Sequence, residues 1–160
     1  MRKLSLIFVM AVLCSGLIFA KGEKNKGSEE KNKETARKVF DDLFTGGHYE
    51  QINSMYEPNA VVHLGGRTIS LSEAVSEGKG WKSAFPDAVM RAHRITGNGD
   101  NVEVHWSVEG TNKGTAEGLP GKGKKGKAQG SSRFRFTNGK IAEVWVDWDE
   151  QNLRRQVGGK

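Results

Sequence analysis

Few side chains in this 160-residue chain are of a type and placement to do chemistry, and the foremost sits at the end of its last aromatic run. Asp149 follows Val144-Trp145-Val146-Asp147-Trp148. A carboxylate in apolar surroundings is desolvated, so its pKa rises towards the working pH and it can take an acidic C–H proton beside a carbonyl. Trp145 and Trp148 would supply such surroundings. The same aspartate has a second use. It precedes residues 150–156, which read as a short final helix, and an aspartate there caps the helix by accepting from an exposed backbone N–H. Strict alternation puts Asp149 with Glu143 and Asp147, opposite Val144, Val146 and Trp148, unless a bulge near Trp148 changes the register. Both roles remain open.

Histidines offer a second kind of proton carrier. His63, in Val61-Val62-His63-Leu64, is a candidate hydrogen-bonder or proton relay as well as an ordinary structural histidine. His105 lies among the polar partners of a later strand and is a candidate on the same terms, whereas His48 and His93 have no supporting neighbours. The four histidines form no His-x-His or His-x-x-x-His pair and the chain has one cysteine, so no metal is expected. No Gly-x-Ser-x-Gly elbow supports serine hydrolysis. Gly121-Lys122-Gly123 lacks the following Lys-Ser or Lys-Thr of a phosphate loop and precedes a strand. No cofactor is expected.

The N-terminus says where the protein goes. Arg2 and Lys3, an apolar run over 4–13 and the ending Gly16-Leu17-Ile18-Phe19-Ala20 have the three regions of a secretory leader cut after Ala20. Cys14 is preceded by Leu13 and followed by further apolar residues, which favours a plain leader over a lipidated one. The expected location is secreted or periplasmic, with membrane contact only through an uncleaved or lipidated N-terminus. Losing the leader removes two basic residues and no acid, which lowers the net charge from +6 to +4. The lysines concentrate in residues 21–33, read as a disordered polar spacer, and at Lys122, Lys124, Lys125 and Lys127 between glycines. Neither tract interleaves aromatics or follows one helix face, so nucleic acid is not an expected partner.

The remaining residues, 34–158, suit one domain. Ala36, Val39, Phe40, Leu43 and Phe44 recur at helical spacing and Gly46-Gly47 stops the helix. A second stripe, Tyr49, Ile52, Met55 and Tyr56, ends at Pro58-Asn59 before a strand over 60–64. Residues 71–84 predict a third helix despite Gly78 and Gly80. From Ala88 the period becomes two: Val102, Val104, Trp106 and Val108 alternate with polar residues, as do Phe134 with Phe136 and Ala142 with Val144, Val146 and Trp148. Asn138-Gly139 and Gly97-Asn98-Gly99-Asp100 are hairpin turns. The fold class is α+β, a cone-shaped fold with a curved antiparallel sheet wrapped around N-terminal helices and an internal pocket. Tyr56, Trp81, Trp106 and Trp145 are the aromatics expected to touch a ligand.

Phe85-Pro86-Asp87, Gly110-Thr111-Asn112-Lys113-Gly114, Gly118-Leu119-Pro120-Gly121-Lys122-Gly123, Asn138-Gly139-Lys140-Ile141-Ala142-Glu143-Val144-Trp145 and Asp149 with Gln156-Val157-Gly158 occur in an order and spacing that resembles a known family. It is the SnoaL-like polyketide cyclases, often called ester cyclases, of the nuclear-transport-factor-2-like cone folds. The resemblance implies an acid/base carboxylate for metal-free and cofactor-free aldol ring closure, a role that falls on Asp149, and it matches His63 to a frequent family histidine. This chain departs at Asn112 and Asn59, where family members commonly carry His and Asp. The resulting expectation is an exported domain binding a small, partly apolar organic molecule. Asp149 and His63 are the catalytic candidates, and Tyr56, Trp81, His105, Trp106, Asn112 and Trp145 the ligand contacts. The alternative is a non-catalytic binding or dimerising module of the same fold, and a homodimer is the expected assembly.

Overall fold

The stripe Ala36, Val39, Phe40 and Leu43 is buried, as its spacing requires, but the helix carrying it is much longer than expected. The computed structural model describes residues 16–159, with side chains from Lys26 onward; Cys14 and most of the expected leader lie outside the described residues. Helix α1 spans Gly16–Lys38 and runs on into a π-helical segment, Val39–Thr45. The expectation of a disordered spacer over 21–33 is therefore corrected: that segment is helical and its end is docked. Asn32 is buried, and Glu29 accepts from the Gly99 amide at 3.2 Å while pairing with Lys33 at 3.2 Å. Local polarity hid this, because charged residues paired one turn apart favour a helix as much as a solvated coil.

A 3₁₀ turn, Tyr49–Gln51, leads into the short α2, Ile52–Met55, and then into strand β1, Tyr56–Leu64. Its start lies earlier than the sequence reading placed it. Pro58 is accommodated because the register against the neighbouring strand shifts between Tyr56 and Val61. Gly65 and Gly66, with φ of 57° and 77°, turn the chain into β2, Arg67–Ser70, an unforeseen strand of four residues. Helix α3, Leu71–Ala84, agrees with the expectation and starts at a capping box: Ser70 Oγ accepts from the Glu73 amide and the Glu73 carboxylate accepts from the Ser70 amide at 2.8 Å.

Strands β3 (Val89–Asn98), β4 (Asn101–Asn112), β5 (Lys124–Thr137) and β6 (Lys140–Trp148) then form an antiparallel meander, and α4, Glu150–Val157, follows. Strand order is β2-β1-β6-β5-β4-β3. The sheet is curved and unclosed as expected, with one difference: β1 and β6 pair in parallel. Asn138 and Gly139, with φ of 51° and 79°, make the tight turn between β5 and β6. Just beyond it the pairing shifts, from Phe136 opposite Ile141 to Arg135 opposite Glu143. The extra residue puts Ile141, rather than Ala142, in the buried row with Val144. A bulge was considered near Trp148; it lies here instead.

The main core packs α1 and the π-helical segment against the inner faces of β4, β5 and β6, where Phe40 meets Phe134 edge-on at 6.1 Å. A smaller core joins the end of α3 to α4 through Ala84, Phe85, Leu119, Leu153 and Val157. The two do not meet fully. Trp148 packs against both, and the space beside it is the site described next.

Candidate functional site: an apolar cavity with one open hydroxyl

Between α3 and the inner face of the sheet lies a cavity of about 190 Å³. Alternation supplies its floor, since Val108, Trp106, Val146 and Trp148 all point inward from β4 and β6. Trp81, Ala74 and Gly78 face it from α3, Phe44 and Tyr49 from the N-terminal segment, and Met90 from β3. Phe44 also meets solvent and is the one exposed large apolar residue among those described, which marks it as a residue of the mouth.

Three indoles define the aromatic wall. Trp81 and Trp148 meet edge-on at 5.5 Å, Trp106 and Trp148 lie 6.1 Å apart, and Phe85 stacks on Trp81 at 5.9 Å. Two of them are held from outside. Trp106 Nε1 donates to Ser132 Oγ at 3.0 Å, a buried pair that fixes the ring. Arg154 lies over Trp81 at 5.3 Å, and its guanidinium is tied to Glu150 at 2.7 Å and to the Glu117 carbonyl at 2.7 Å. Gly130 on β5 leaves room for this arrangement: a Cβ there would stand 2.7 Å from the Trp106 ring and 2.5 Å from the Asp147 carbonyl oxygen.

Polar groups at the wall are few and mostly engaged. Glu77 receives both Nη atoms of Arg67, at 3.0 and 3.2 Å. Glu109 receives Arg91 at 2.8 Å, and Lys82 Nζ donates to the Thr45 carbonyl at 2.6 Å. Tyr49 differs. Its hydroxyl has no hydrogen-bond partner among the described residues, and burial pushes its pKa up to about 12.

The residues expected from sequence divide between this cavity and elsewhere. Trp81 and Trp106 line it. Tyr56 is buried in the main core, where desolvation raises its pKa strongly, and it does not reach the cavity. Asn112 is fully buried but serves the chain: it donates to the Ala84 and Gly114 carbonyls and accepts from the Gly121 amide, fastening the loop after β4 to the end of α3. Asp149 is 66% exposed, accepts from the Asn152 amide at 2.8 Å and so caps α4; it is not among the lining residues. Of its two readings, the cap is the one with a geometric basis.

His63, His105 and Trp145 lie on the opposite, outer face of the sheet. His63 Nε2 is 2.8 Å from Glu143 and Nδ1 is 2.9 Å from Thr68 Oγ1. Trp145 is sandwiched between the His63 ring at 5.1 Å and the Arg133 guanidinium at 4.2 Å. Glu143 also accepts from Arg135 at 2.8 Å, and the His63 bond followed by the Arg135 bond lowers its pKa. His105 stands beside Glu103 at 3.2 Å and Arg94 at 3.4 Å. Trp148, Tyr49, Phe44, Met90 and Lys82 are among the wall residues that sequence reasoning did not single out as ligand contacts. Gly78, an interior helix glycine, was a readable cue to a close approach there. Among the described residues no group of three or more His, Cys, Asp or Glu is placed to hold a metal, and no helix is long and apolar enough to cross a membrane.

An unclosed curved sheet with helices across its inner face and an apolar hollow between them defines a cone-type α+β domain. The model of the SnoaL-like polyketide cyclase family matches residues 34–157, and the chain belongs to that family. No curated protein matches it significantly. Among solved structures, a protein of Jannaschia sp. CCS1 named as a SnoaL-like polyketide cyclase is 19% identical, with a TM-score of 0.75 over 82% of this chain and 94% of that one. A protein of Xanthomonas campestris named as a polyketide cyclase is also 19% identical, with a TM-score of 0.72 over 81% and 98%. IdmH of Streptomyces antibioticus, likewise named as a polyketide cyclase, is 22% identical, with a TM-score of 0.70 over 79% and 98%. At these identities the likeness is one of fold.

Proposed function

We propose that this protein captures a small, largely apolar ring compound in the cavity between α3 and the sheet, and that it does so outside the cytoplasm. The observation carrying the reading is the cavity itself: about 190 Å³ walled by Trp81, Trp106 and Trp148. An apolar cavity of roughly 150 Å³ already takes up benzene, while sites for drug-sized ligands start near 300 Å³. One substituted ring therefore fits, and a fused polycyclic substrate does not fit the space as it stands. Support for export comes from the leader-like residues 1–20.

Binding is favoured over turnover because the nearby carboxylates are occupied. Glu77 and Glu109 are each paired with an arginine, and Asp149 holds α4. A proton acceptor must come within about 3.2 Å of the proton it takes and is tuned by burial, whereas Glu77 has both oxygens bound to Arg67 and the Glu109 and Asp149 side chains are mostly exposed. The test is calorimetric titration of the full chain with one-ring compounds, beside an Ala74→Phe variant that puts a ring into the cavity. Measurable binding by the wild type and none by the variant is expected. A wild type that binds no member of the panel would overturn the reading.

A further inference from the structure

Helix α3 contains a glycine that its own stability does not explain. Gly78 lies in the interior of a 14-residue helix and is buried, where glycine is less favourable than alanine. A Cβ at this position would stand 2.9 Å from the Tyr49 hydroxyl oxygen and 3.2 Å from its ring. Gly78 and Tyr49 both line the cavity. The missing side chain is what lets the tyrosine lay its hydroxyl against α3, and that hydroxyl then has no partner among the described residues. Sequences break a local rule of this kind where a site needs the geometry.

We infer that Tyr49 is the specificity-determining donor of the cavity, and that Gly78 clears its place, selecting a neutral one-ring ligand with a hydrogen-bond acceptor such as a ketone oxygen. This rests on the proposed binding function and says which compounds the cavity prefers. A hydroxyl on an apolar wall loses its water when a ligand fills the cavity, and it regains a bond only when that ligand brings an acceptor. Several other polar groups at the wall are already engaged. Lys82, Glu77 and Glu109 are already bound to protein atoms, and the Trp106 N–H is bound to Ser132. Anionic ligands are disfavoured because moving a charge from water into an apolar wall costs far more than moving a neutral ring. The phenol itself stays neutral, since burial holds its pKa up at about 12 and keeps the proton on the oxygen as a donor. The indole N–H groups of Trp81 and Trp148 also lack partners among the described residues and are the rival donors.

The experiment uses the full chain and two compounds of nearly equal shape, acetophenone and α-methylstyrene, which differ by an oxygen in place of a methylene. The wild type is expected to bind the ketone about five- to tenfold more tightly, the contribution of one neutral hydrogen bond. In Tyr49→Phe the hydrocarbon should bind as before and the ketone should fall to the same affinity. If the wild type binds both equally, or if the preference survives in Tyr49→Phe, the inference is overturned while the cavity keeps its binding function. If neither compound binds, the binding function fails first and this inference with it. The carbonyl stretch of bound acetophenone in the wild type gives a measurement that does not depend on a variant folding. An unshifted band relative to acetophenone in hydrocarbon solvent overturns the inference, and a shift to lower frequency that is lost in Tyr49→Phe supports the phenol over the indoles.

Discussion

Asp149 illustrates how one residue can fit two physical roles until its surroundings are known. As a cap it needs only the first exposed amides of α4, and it has them at 2.8 Å. As a general base it needs burial beside a ligand, and it is 66% exposed. Asn ranks with Asp as a capping residue while Ala does not, so the two substitutions separate the roles. Asp149→Ala should lower stability to urea by about 1 kcal/mol, and Asp149→Asn by much less. Equal losses from both would sink the capping account. The cavity residues were partly legible: Trp106 follows directly from alternation, and Trp81 from the apolar face of α3. Tyr49 was read as one member of a helical stripe, because its importance comes from meeting Gly78 across the fold, a contact that no local period encodes.

Among the elements, α3 was legible in its bounds despite Gly78 and Gly80, and the meander was legible because β4, the end of β5 and β6 alternate and the turns carry Asn-Gly or Gly-Asn. What escaped was non-local. The parallel pairing of β1 with β6 and the short β2 depend on partners distant in sequence, and the bulge at Ala142 moves the buried row without a marker at that position. The outer-face cluster is a product of the same pairing. His63 on β1, Glu143 on β6 and Arg135 on β5 join three adjacent strands through one carboxylate. Hydrogen bonds from His63 and Arg135 hold the Glu143 pKa below its ordinary 4.5. A carboxylate with a depressed folded pKa stabilises the protein above its unfolded value, and that contribution disappears as pH falls through the folded one. The stability advantage of the wild type over Glu143→Gln should therefore be full at neutral pH and shrink below about 4.5. Chemical denaturation at several pH values checks this; a gap that stays constant into the acid range would show that Glu143 is not the linked group.

For the molecule as a whole, the surprise is the reach of α1. A polar segment flanking a domain is ordinarily dispensable, but here Glu29 meets the β3–β4 turn at Gly99 and Asn32 is buried. A docked helix and a dispensable flank differ in what truncation does. A chain beginning at residue 34 should melt lower than one beginning at residue 21, by about 4 °C or more if the docked turns contribute on the order of 1 kcal/mol. Identical melting curves would return residues 21–33 to the status of a spacer.

The pairing of the first strand with the last also bears on how such a protein is made. His63 and Glu143 are 80 positions apart, so β1 cannot find its inner neighbour until nearly the whole polypeptide has left the ribosome. The seam between β1 and β6 inside the sheet is sewn by the last strand synthesised. Late closure of that seam makes β1 and β2 the strands that wait longest to join the rest of the sheet, and it ties completion of the sheet to the arrival of β6.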